Sequence, residues 1–584
     1  MKKKIGSILL DYLIHKNVKH VFVLNGGAIA FLIDAFNNRN DINYICVNHE
    51  QSAAIMADAY SRSGPGFAAT MVTSGPGATN LITGICCSWF DSISNIHICG
   101  QVNELDLKDR NLSTAKCRQI GFQETDIVSM TKKITKKSLQ LKSVKNFISD
   151  LNSLYNISQS DRKGPVLIDI PMNLQKLSIN NTLSKFLYKK KILKKYNLKL
   201  KSIINIIFKS KKPVLILGAG IRLSNSESEL FTFLKKFNIP IVTTWGGFDI
   251  ISHDYKNYFG NIGVYGQRAA NIIVQSSDLI IALGTRLDTR VTGGNTKIFA
   301  PKAKKIIIDI DKNELNKNRY CNKLIKINSD LKYFFKEFNK CKINFFHYNT
   351  WVNNCLNMHL YISNNIQRKY KSIKSDPYNF FSALNKSVDN NSIYVLDTGA
   401  HLTWGMQQIK IKKNQRLFSA FCNSPMGYAI PASIGAALAN KNKQIICITG
   451  DGSLHVNIQE LHLIYKFNLN IKIFILNNDG YGIIKQFQSL YLDGHSEAST
   501  KGYSNPDILA LGKSYKIKTF NIKNNAQINK VIKSTISYNG PAFVNINIDK
   551  NQTIEPKLEF GNSLENLSPI IEIKEFLRLK DLII

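Results

Sequence analysis

The chain has 584 residues, 44% of them apolar. That length exceeds one ordinary core and predicts about three domains of roughly 150–200 residues each; with no run of 18 or more apolar residues, no membrane partner is expected. Lys and Arg exceed Asp and Glu by 77 − 41 = 36, but the excess is mostly lysine, travels with Asn and Ile, and is spread along the chain without a binding motif, so no nucleic-acid partner is expected either.

The N-terminal stretch MKKKIGSILLDYLIHKNVKH carries Asp11 and no small-residue cleavage site, so it predicts an amphipathic first helix rather than a signal peptide. Strands follow at VKHVFVL, INYICVN, GFAATMVT, NIHICG and GPVLIDIP, with helical patterns such as EQSAAIMADAYSR between them. Strands alternating with helices imply a parallel sheet covered on both faces, and this first domain spans 1–180. The lysine-rich run at 188–201 reads as a linker into a helix. A central domain, 200–345, contains PVLILGAG, PIVTT, SDLIIALG and KKIIIDID. A third, 370–550, contains SIYVLDTG, KQIICITGDG, IKIFILNN and PAFVNINI, and 551–584 is a polar, proline-punctuated tail. The fold class expected is α/β, with one doubly wound parallel-sheet plan used three times. The ten cysteines include no C-x-x-C pair, and several lie in apolar strand runs where Cys behaves as a small hydrophobe. A reduced, cytoplasmic setting is expected.

The chemistry is concentrated at 450–478, GDGSLHVNIQELHLIYKFNLNIKIFILNN. One apolar strand ends at Gly450-Asp451-Gly452; a helix, NIQELHLIYKF, is predicted next; a second strand ends at Asn477-Asn478. Asp451 and Asn478 therefore fall at the same end of two parallel strands, where open α/β sheets bind ligands. A carboxylate and an amide oxygen are hard donors suited to Mg²⁺, which keeps few protein ligands and completes its shell with water and phosphate. The glycines let backbone N–H groups approach a diphosphate.

GDG, 24 residues, then NN resembles the signature of thiamine-diphosphate enzymes. The resemblance implies thiamine diphosphate and Mg²⁺ as cofactors, with Asp451, Asn478 and the Gly480 carbonyl on the metal, and Gly450, Gly452 and Ser453 beside the diphosphate. It also implies a glutamate from another domain at a helix start; ICVNHEQSAAIMADAYSR supplies Glu50. That carboxyl would share a proton with the cofactor's aminopyrimidine. VTSGPGATNLITGI, GFQETDIV, LGTRLDTRVTGG and SPMGYAIPASIGAALA are similar to acetolactate synthases, over approximately residues 5–550.

This closer resemblance implies that Ser424 and Met426 support the bent cofactor, that Gln123 acts near its reactive carbon with Phe122 lining the pocket, that Gly26 and Gly27 form the pocket mouth, and that Gly75 binds the cofactor. Arg290 would recognise the second substrate's carboxylate by its guanidinium fork, beside Phe487. The central domain resembles the flavin-binding domain of those synthases at LGAGI and GTRLDTRV, with Asp309 after KKIII, which makes FAD a candidate cofactor; a flavin-free middle domain is common in the wider superfamily. Three stretches depart from the family's pattern: Gln486-Phe487-Gln488 where a Trp is usual, Asn25-Gly26-Gly27 for P-G-G, and DTGAHLTW, in which only Gly399 and His401 correspond to the usual G-x-G-Q-H.

The function expected is a carboligase that decarboxylates pyruvate and passes the two-carbon unit to a second 2-oxo acid. The alternatives are a nucleotide-activated keto sugar as acceptor, or a non-catalytic scaffold. The family's arrangement implies a homodimer or homotetramer whose sites straddle two chains; nothing in the sequence specifies a regulatory subunit.

Overall fold

Each apolar run flanked by glycine or a polar turn becomes a strand in one of three six-stranded sheets. The computed structural model describes residues 2–108, 117–180, 194–317, 324–366, 372 and 374–583. The first sheet contains His20–Leu24 (β1), Asn43–Cys46 (β2), Ala69–Val72 (β3), Ile96–Gln101 (β4), Lys137–Gln140 (β5) and Val166–Pro171 (β6), in the order β2-β1-β3-β4-β6-β5. The second contains Pro213–Leu217 (β7), Ile241–Thr243 (β8), Tyr258–Asn261 (β9), Leu279–Leu283 (β10), Lys304–Asp309 (β11) and Leu324–Asn328 (β12), in the order β9-β8-β7-β10-β11-β12. The third contains Ile393–Leu396 (β13), Arg416–Phe418 (β14), Ile445–Gly450 (β15), Ile471–Asn477 (β16), Lys518–Ile522 (β17) and Ala542–Asn547 (β18), in the order β14-β13-β15-β16-β18-β17.

Neighbouring strands are parallel in all three sheets, so inner strands are covered on both faces and read as unbroken apolar runs. The chain nevertheless uses two plans, not one plan three times. The first and third sheets share a strand order and the middle sheet has another. The difference lies in which edge each crossover returns to, and hydrophobic pattern carries no record of that.

Seven helices position the site: Ile5–His15 (α1), Glu50–Ser63 (α2), Ala400–Gln408 (α3), Ala429–Ala439 (α4), Asp451–Val456 (α5), Gly482–Tyr491 (α6) and Ile573–Ile583 (α7). Helix α1 buries Ile5, Ile8, Leu9, Tyr12 and Leu13 against the first sheet. Of the lysine-rich run, 188–193 lies outside the described residues; 194–199 is irregular, and Leu200–Lys209 is helical. The nine described cysteines are all free; Cys321 is outside the described residues.

Helices α2 and α4 join the first domain to the third. Their buried faces, Ala53, Met56, Ala57 and Tyr60 against Tyr428, Ala432, Ala436 and neighbours, form one continuous core. The approach is close because small residues line it: a Cβ on Gly435 of α4 would stand 2.2 Å from the Met56 carbonyl oxygen, and one on Gly84, across the other side of α2, 2.3 Å from Ala54 Cβ.

The segment after 550 is stitched across the molecule. Tyr378 Oη donates to the Glu555 carbonyl (2.6 Å), Gln407 Nε2 to that of Pro556 (2.7 Å), and the Leu558 N–H to that of Val264 (2.7 Å). Arg268 donates to the carbonyls of Leu567 (2.8 Å) and Pro569 (2.6 Å), and Leu579 and Ile583 of α7 enter the central core.

Gly435→Val should force α2 and α4 apart. We expect a loss of roughly 1–3 kcal/mol from overpacking, read as a lower melting temperature, whereas Gly27→Ala, at a position with open space around its Cα, should leave it close to wild type.

Candidate active site

A parallel sheet gathers all its strand carboxyl ends at one edge, and a crevice opens where neighbouring crossovers diverge. In the third sheet that point lies between β13 and β15. β13 ends just before Asp397, a fully buried carboxylate that accepts from the N–H groups of Thr398 (2.8 Å), Gly427 (2.9 Å) and Ala429 (2.9 Å). Burial pushes its carboxyl up to about 6, and the converging N–H groups oppose that rise. The effect is to pin the turn before α4. Ser424, in that turn, is held at φ +55° and its hydroxyl meets Thr398 Oγ1 at 2.9 Å. Met426 is half-buried beside it, and Asn457 Nδ2 donates to the Gly427 carbonyl at 2.8 Å.

β15 ends at Gly450, and helix α5 begins on Asp451 itself. The predicted helix over NIQELHLIYKF begins too late: α5 stops at Val456, Asn457 leaves helical geometry, and Leu461–Lys466 is a separate helix. The Asn457 side chain explains the break, because it bridges the Gly427 carbonyl and the Ser52 hydroxyl. Asp451 is buried, and its Oδ2 accepts from the Gly480 N–H (3.1 Å) and Asn505 Nδ2 (2.7 Å). Burial raises its pKa and those donors oppose it. β16 delivers Asn477 and buried Asn478, with the Asn478 amide nitrogen packed on Gly482. Ser453 donates to the Thr398 carbonyl (3.0 Å). A Cβ on Gly452 would lie 2.5 Å from the Tyr481 ring, and Gly399 and Gly450 both pack against the His401 imidazole. His401 is buried, its Nε2 has no hydrogen-bond partner, and burial lowers its pKa to about 3, so the ring is neutral.

The first sheet builds the complementary edge. Glu50 is the first residue of α2, 6% exposed, with Oε2 accepting from Asn80 Nδ2 at 2.9 Å. A Cβ on Gly77 would meet Thr73 at 2.7 Å and Glu50 Oε1 at 3.6 Å, while one on Gly26 would strike Thr73 at 2.6 Å. Gly27 has open space around it. Gly75 (φ +60°) packs on Gln123, itself held at φ +65°. Glu124 fixes that loop by accepting from the N–H groups of Lys108 (2.7 Å) and Ile120 (2.8 Å). Phe122, on the same loop, is 85% exposed in the single chain.

At the switch point of the second sheet, between β7 and β10, lies a cavity of about 600 Å³ whose lining includes Gly220, Arg222, Trp245, Thr285, Arg290 and Asp309. The Arg290 guanidinium stacks 4.7 Å above Trp245, and its Nη1 is buried without a partner. Phe487 projects from α6, which follows the Asn478–Gly480 turn.

The third sheet thus collects Gly399, His401, Ser424, Met426, Gly450, Asp451, Gly452, Ser453, Asn478 and Gly480, and the first collects Gly26, Gly75, Gln123 and Glu50. Sequence reasoning passed over Asp397, Asn457, Asn505 and Glu124, which hold those residues in place; of these only Asp397, directly after the strand SIYVL, carries a positional signal. Among the described residues no cluster of three or more His, Cys, Asp or Glu could hold a metal. The oxygen donors at Asp451, Asn478 and Gly480 are of another kind: one acid, one amide and one carbonyl, a set that leaves room for phosphate oxygens and water on a hard cation. That donor set, together with the unpartnered His401 Nε2, fits a metal–diphosphate pair.

Two acid-bearing strand edges on separate parallel sheets, one of them shaped for a metal-bound diphosphate, define a thiamine-diphosphate-dependent enzyme. Family models agree: the N-terminal TPP-binding domain of thiamine pyrophosphate enzymes matches residues 3–130, the central domain 200–338 and the C-terminal TPP-binding domain 397–546. The acetolactate synthase large subunit of Pyropia yezoensis is 33% identical over 96% of this chain and 95% of its own length, and that of Cyanidium caldarium 32% identical over 95% of each. Isozyme 2 of Escherichia coli is 29% identical over 95% of this chain and 98% of its own length. The chain belongs to the acetolactate synthase large-subunit family. It is a thiamine-diphosphate-dependent carboligase, and neither a keto-sugar acceptor nor a non-catalytic scaffold is favoured. No described helix is long and apolar enough to cross a membrane.

The neutral His401 has a measurable consequence. Its pKa is lowered in the folded protein, so its contribution to stability is present above about pH 6.5 and is lost as pH falls toward 3. The stability difference between wild type and His401→Asn should therefore be smaller at pH 5.5 than at pH 7.5, by about 1 kcal/mol. Urea unfolding of both proteins at the two pH values measures it.

Proposed function

We propose that the protein decarboxylates one pyruvate and joins the remaining two-carbon unit to a second 2-oxo acid, pyruvate itself giving 2-acetolactate. The balanced reaction is two pyruvate anions and one proton giving one acetolactate anion and CO₂, with no net oxidation. The observation that carries this reading is the convergence of Asp451, Asn478, Gly480 and the Ser424–Met426 turn on one crevice of the third sheet.

Asp451, Asn478 and the Gly480 carbonyl would hold Mg²⁺, with Gly450, Gly452 and Ser453 beside the diphosphate at the start of α5. Thiamine diphosphate, when bound, supplies the electron sink for the pair released as CO₂ leaves. Glu50, buried and steadied by Asn80, would exchange a proton with the aminopyrimidine. The Ser424 carbonyl, aimed by the left-handed turn, would accept a hydrogen bond from the cofactor's amine, and Met426 would pack against the cofactor. Gln123 orients the substrate, and Gly26 and Gly75 keep the mouth clear. Arg290 pairs with the acceptor's carboxylate; stacked on Trp245, its unsatisfied Nη1 is a strong seat for an anion. FAD is the candidate occupant of the central cavity, where Gly220 and Thr285 flank the strand ends and Asp309 lies beyond them.

Glu50 and Asp451 stand at the edges of different sheets, so we place each site between two protomers of a homodimer or homotetramer, with Glu50 of one chain facing the Asp451 loop of the other. Leu105, 83% exposed, and Phe122 lie beside the Glu50 edge and would be covered there. Sedimentation should show no active monomer, and dilution that dissociates the assembly should abolish turnover.

Purified protein with Mg²⁺ and thiamine diphosphate should release CO₂ from labelled pyruvate and form acetolactate; its failure to release CO₂ with any acceptor would overturn the reading. Glu50→Gln should slow turnover by roughly 10²–10⁴-fold, the scale of general acid–base catalysis, with cofactor still bound by calorimetry. Asp451→Ala should instead lose Mg²⁺-dependent cofactor binding.

A further inference from the structure

An irregular segment between α6 and the helix Ile508–Ser514 is bonded to the loops that follow both β15 and β16. Its Ser499 carbonyl accepts from the Tyr481 N–H at 2.9 Å and would stand 2.7 Å from a Cβ on Gly480. Its Asn505 reaches Asp451: Nδ2 donates to Oδ2 at 2.7 Å, beside the 3.1 Å bond from the Gly480 N–H to the same oxygen. One segment therefore braces the acid of the loop pair at one end and the glycine carbonyl at the other.

The Asn505 amide is fixed in its orientation. Its Oδ1 accepts from Tyr503 Oη at 2.9 Å and lies 3.1 Å from His455 Nε2. With the imidazole proton on Nε2, both groups are donors, and Asn505 Nδ2 is left for the carboxylate. The Tyr503 ring meets Tyr481 edge-on, centroids 4.9 Å apart, and its hydroxyl would lie 3.3 Å from a Cβ on Gly452. His455 sits on α5, the helix that opens on Asp451. The brace thus closes on itself, from α5 through His455 and Asn505 back to Asp451. A carboxylate held on one oxygen by two donors has lost its rotation and presents the other oxygen, Oδ1, in a set direction.

We propose that Asn505 is a positioning residue that sets the affinity of the Asp451–Asn478–Gly480 site for its divalent cation. Asn505 makes no contact with the cation and acts through the Asp451 carboxylate. The inference rests on the metal-loop reading above. Hydrogen bonds from outside the coordination sphere orient a ligating carboxylate before the cation arrives, and their loss costs about 10–100-fold in metal affinity. Of the two donors on Asp451 Oδ2, the Gly480 N–H is backbone, so Asn505 is the one a side-chain change removes.

Asn505 is half-buried and its neighbours Ser504 and Pro506 are exposed, so truncation opens no internal cavity. Metal-stripped full-length protein, in excess thiamine diphosphate, would be titrated with Mg²⁺ by calorimetry. Asn505→Ala should raise the Mg²⁺ Kd about 10–100-fold, and excess Mg²⁺ should restore CO₂ release from pyruvate. A merely structural role would lower the urea stability of the metal-free protein and leave the Kd alone. A Kd within about threefold of wild type, well under the range for such partners, or a tighter one, overturns the inference. Tyr503→Phe removes only the hydroxyl that orients the amide and decides the matter if Asn505→Ala does not fold. It should raise the Kd about threefold or more, the scale of one hydrogen bond, and an unchanged Kd overturns the inference. If wild-type protein binds thiamine diphosphate with no dependence on Mg²⁺, the metal-loop reading falls and this inference with it.

Discussion

The contact between helices α2 and α4 is the constraint from which the site follows. α2 presents Glu50 at its first residue, and α4 begins three residues after Met426. Bringing the two backbones together demands Gly435 against Met56 and a run of alanines on the facing surface. Once they are packed, both functional termini are fixed relative to one rigid block, and the polar links follow: Ser52 to Asn457 at 3.1 Å, and the Asn48 N–H to Glu460 at 3.1 Å. Burial pushes the Glu460 carboxyl up to about 7, while the N–H groups of Asn48 and His49 and the Ser52 hydroxyl oppose it.

A buried charge network secures the other end of that block. Arg62, near the C-terminus of α2, pairs with Asp58 (2.9 Å) and Asp91 (3.1 Å), and Asp58 also accepts from Tyr428 Oη at 2.6 Å. Tyr428 is the residue immediately before α4, so the same carboxylate that neutralises Arg62 holds the turn carrying Met426. Removing one member of such a network would leave an uncompensated buried charge, a cost of about 3–5 kcal/mol. Arg62 also donates to the Ser419 carbonyl, and Arg416 donates to that of Arg62 while pairing with Asp249 of the central domain. All three domains meet at this point.

What the sequence made legible divides along physical lines. Inner strands, buried on both faces, read plainly as PVLIL or IICIT. Within the three six-stranded sheets, the five strands that went unread, β5, β9, β12, β14 and β17, are all sheet edges. β14 has three residues, and β5, β12 and β17 are short and partly exposed, so their pairing depends on a neighbour already being in place. The strand-end placement of Asp451 and Asn478 was readable because each directly follows an apolar run. Asn457 and Glu124 were not: an asparagine that ends a helix and a glutamate that collects two backbone N–H groups differ from surface residues only in their tertiary partners.

Leu579 and Ile583 complete a core whose other members begin near residue 198. On the ribosome the first domain is synthesised entire and can fold as it emerges, but the central one cannot seal its interior until residues 573–583 have been released. Its core is therefore completed only after the third domain has been made, with nearly 400 residues of loop closure behind the final contacts. A premature stop before residue 573 would be felt in the middle of the polypeptide, far from where the change was made.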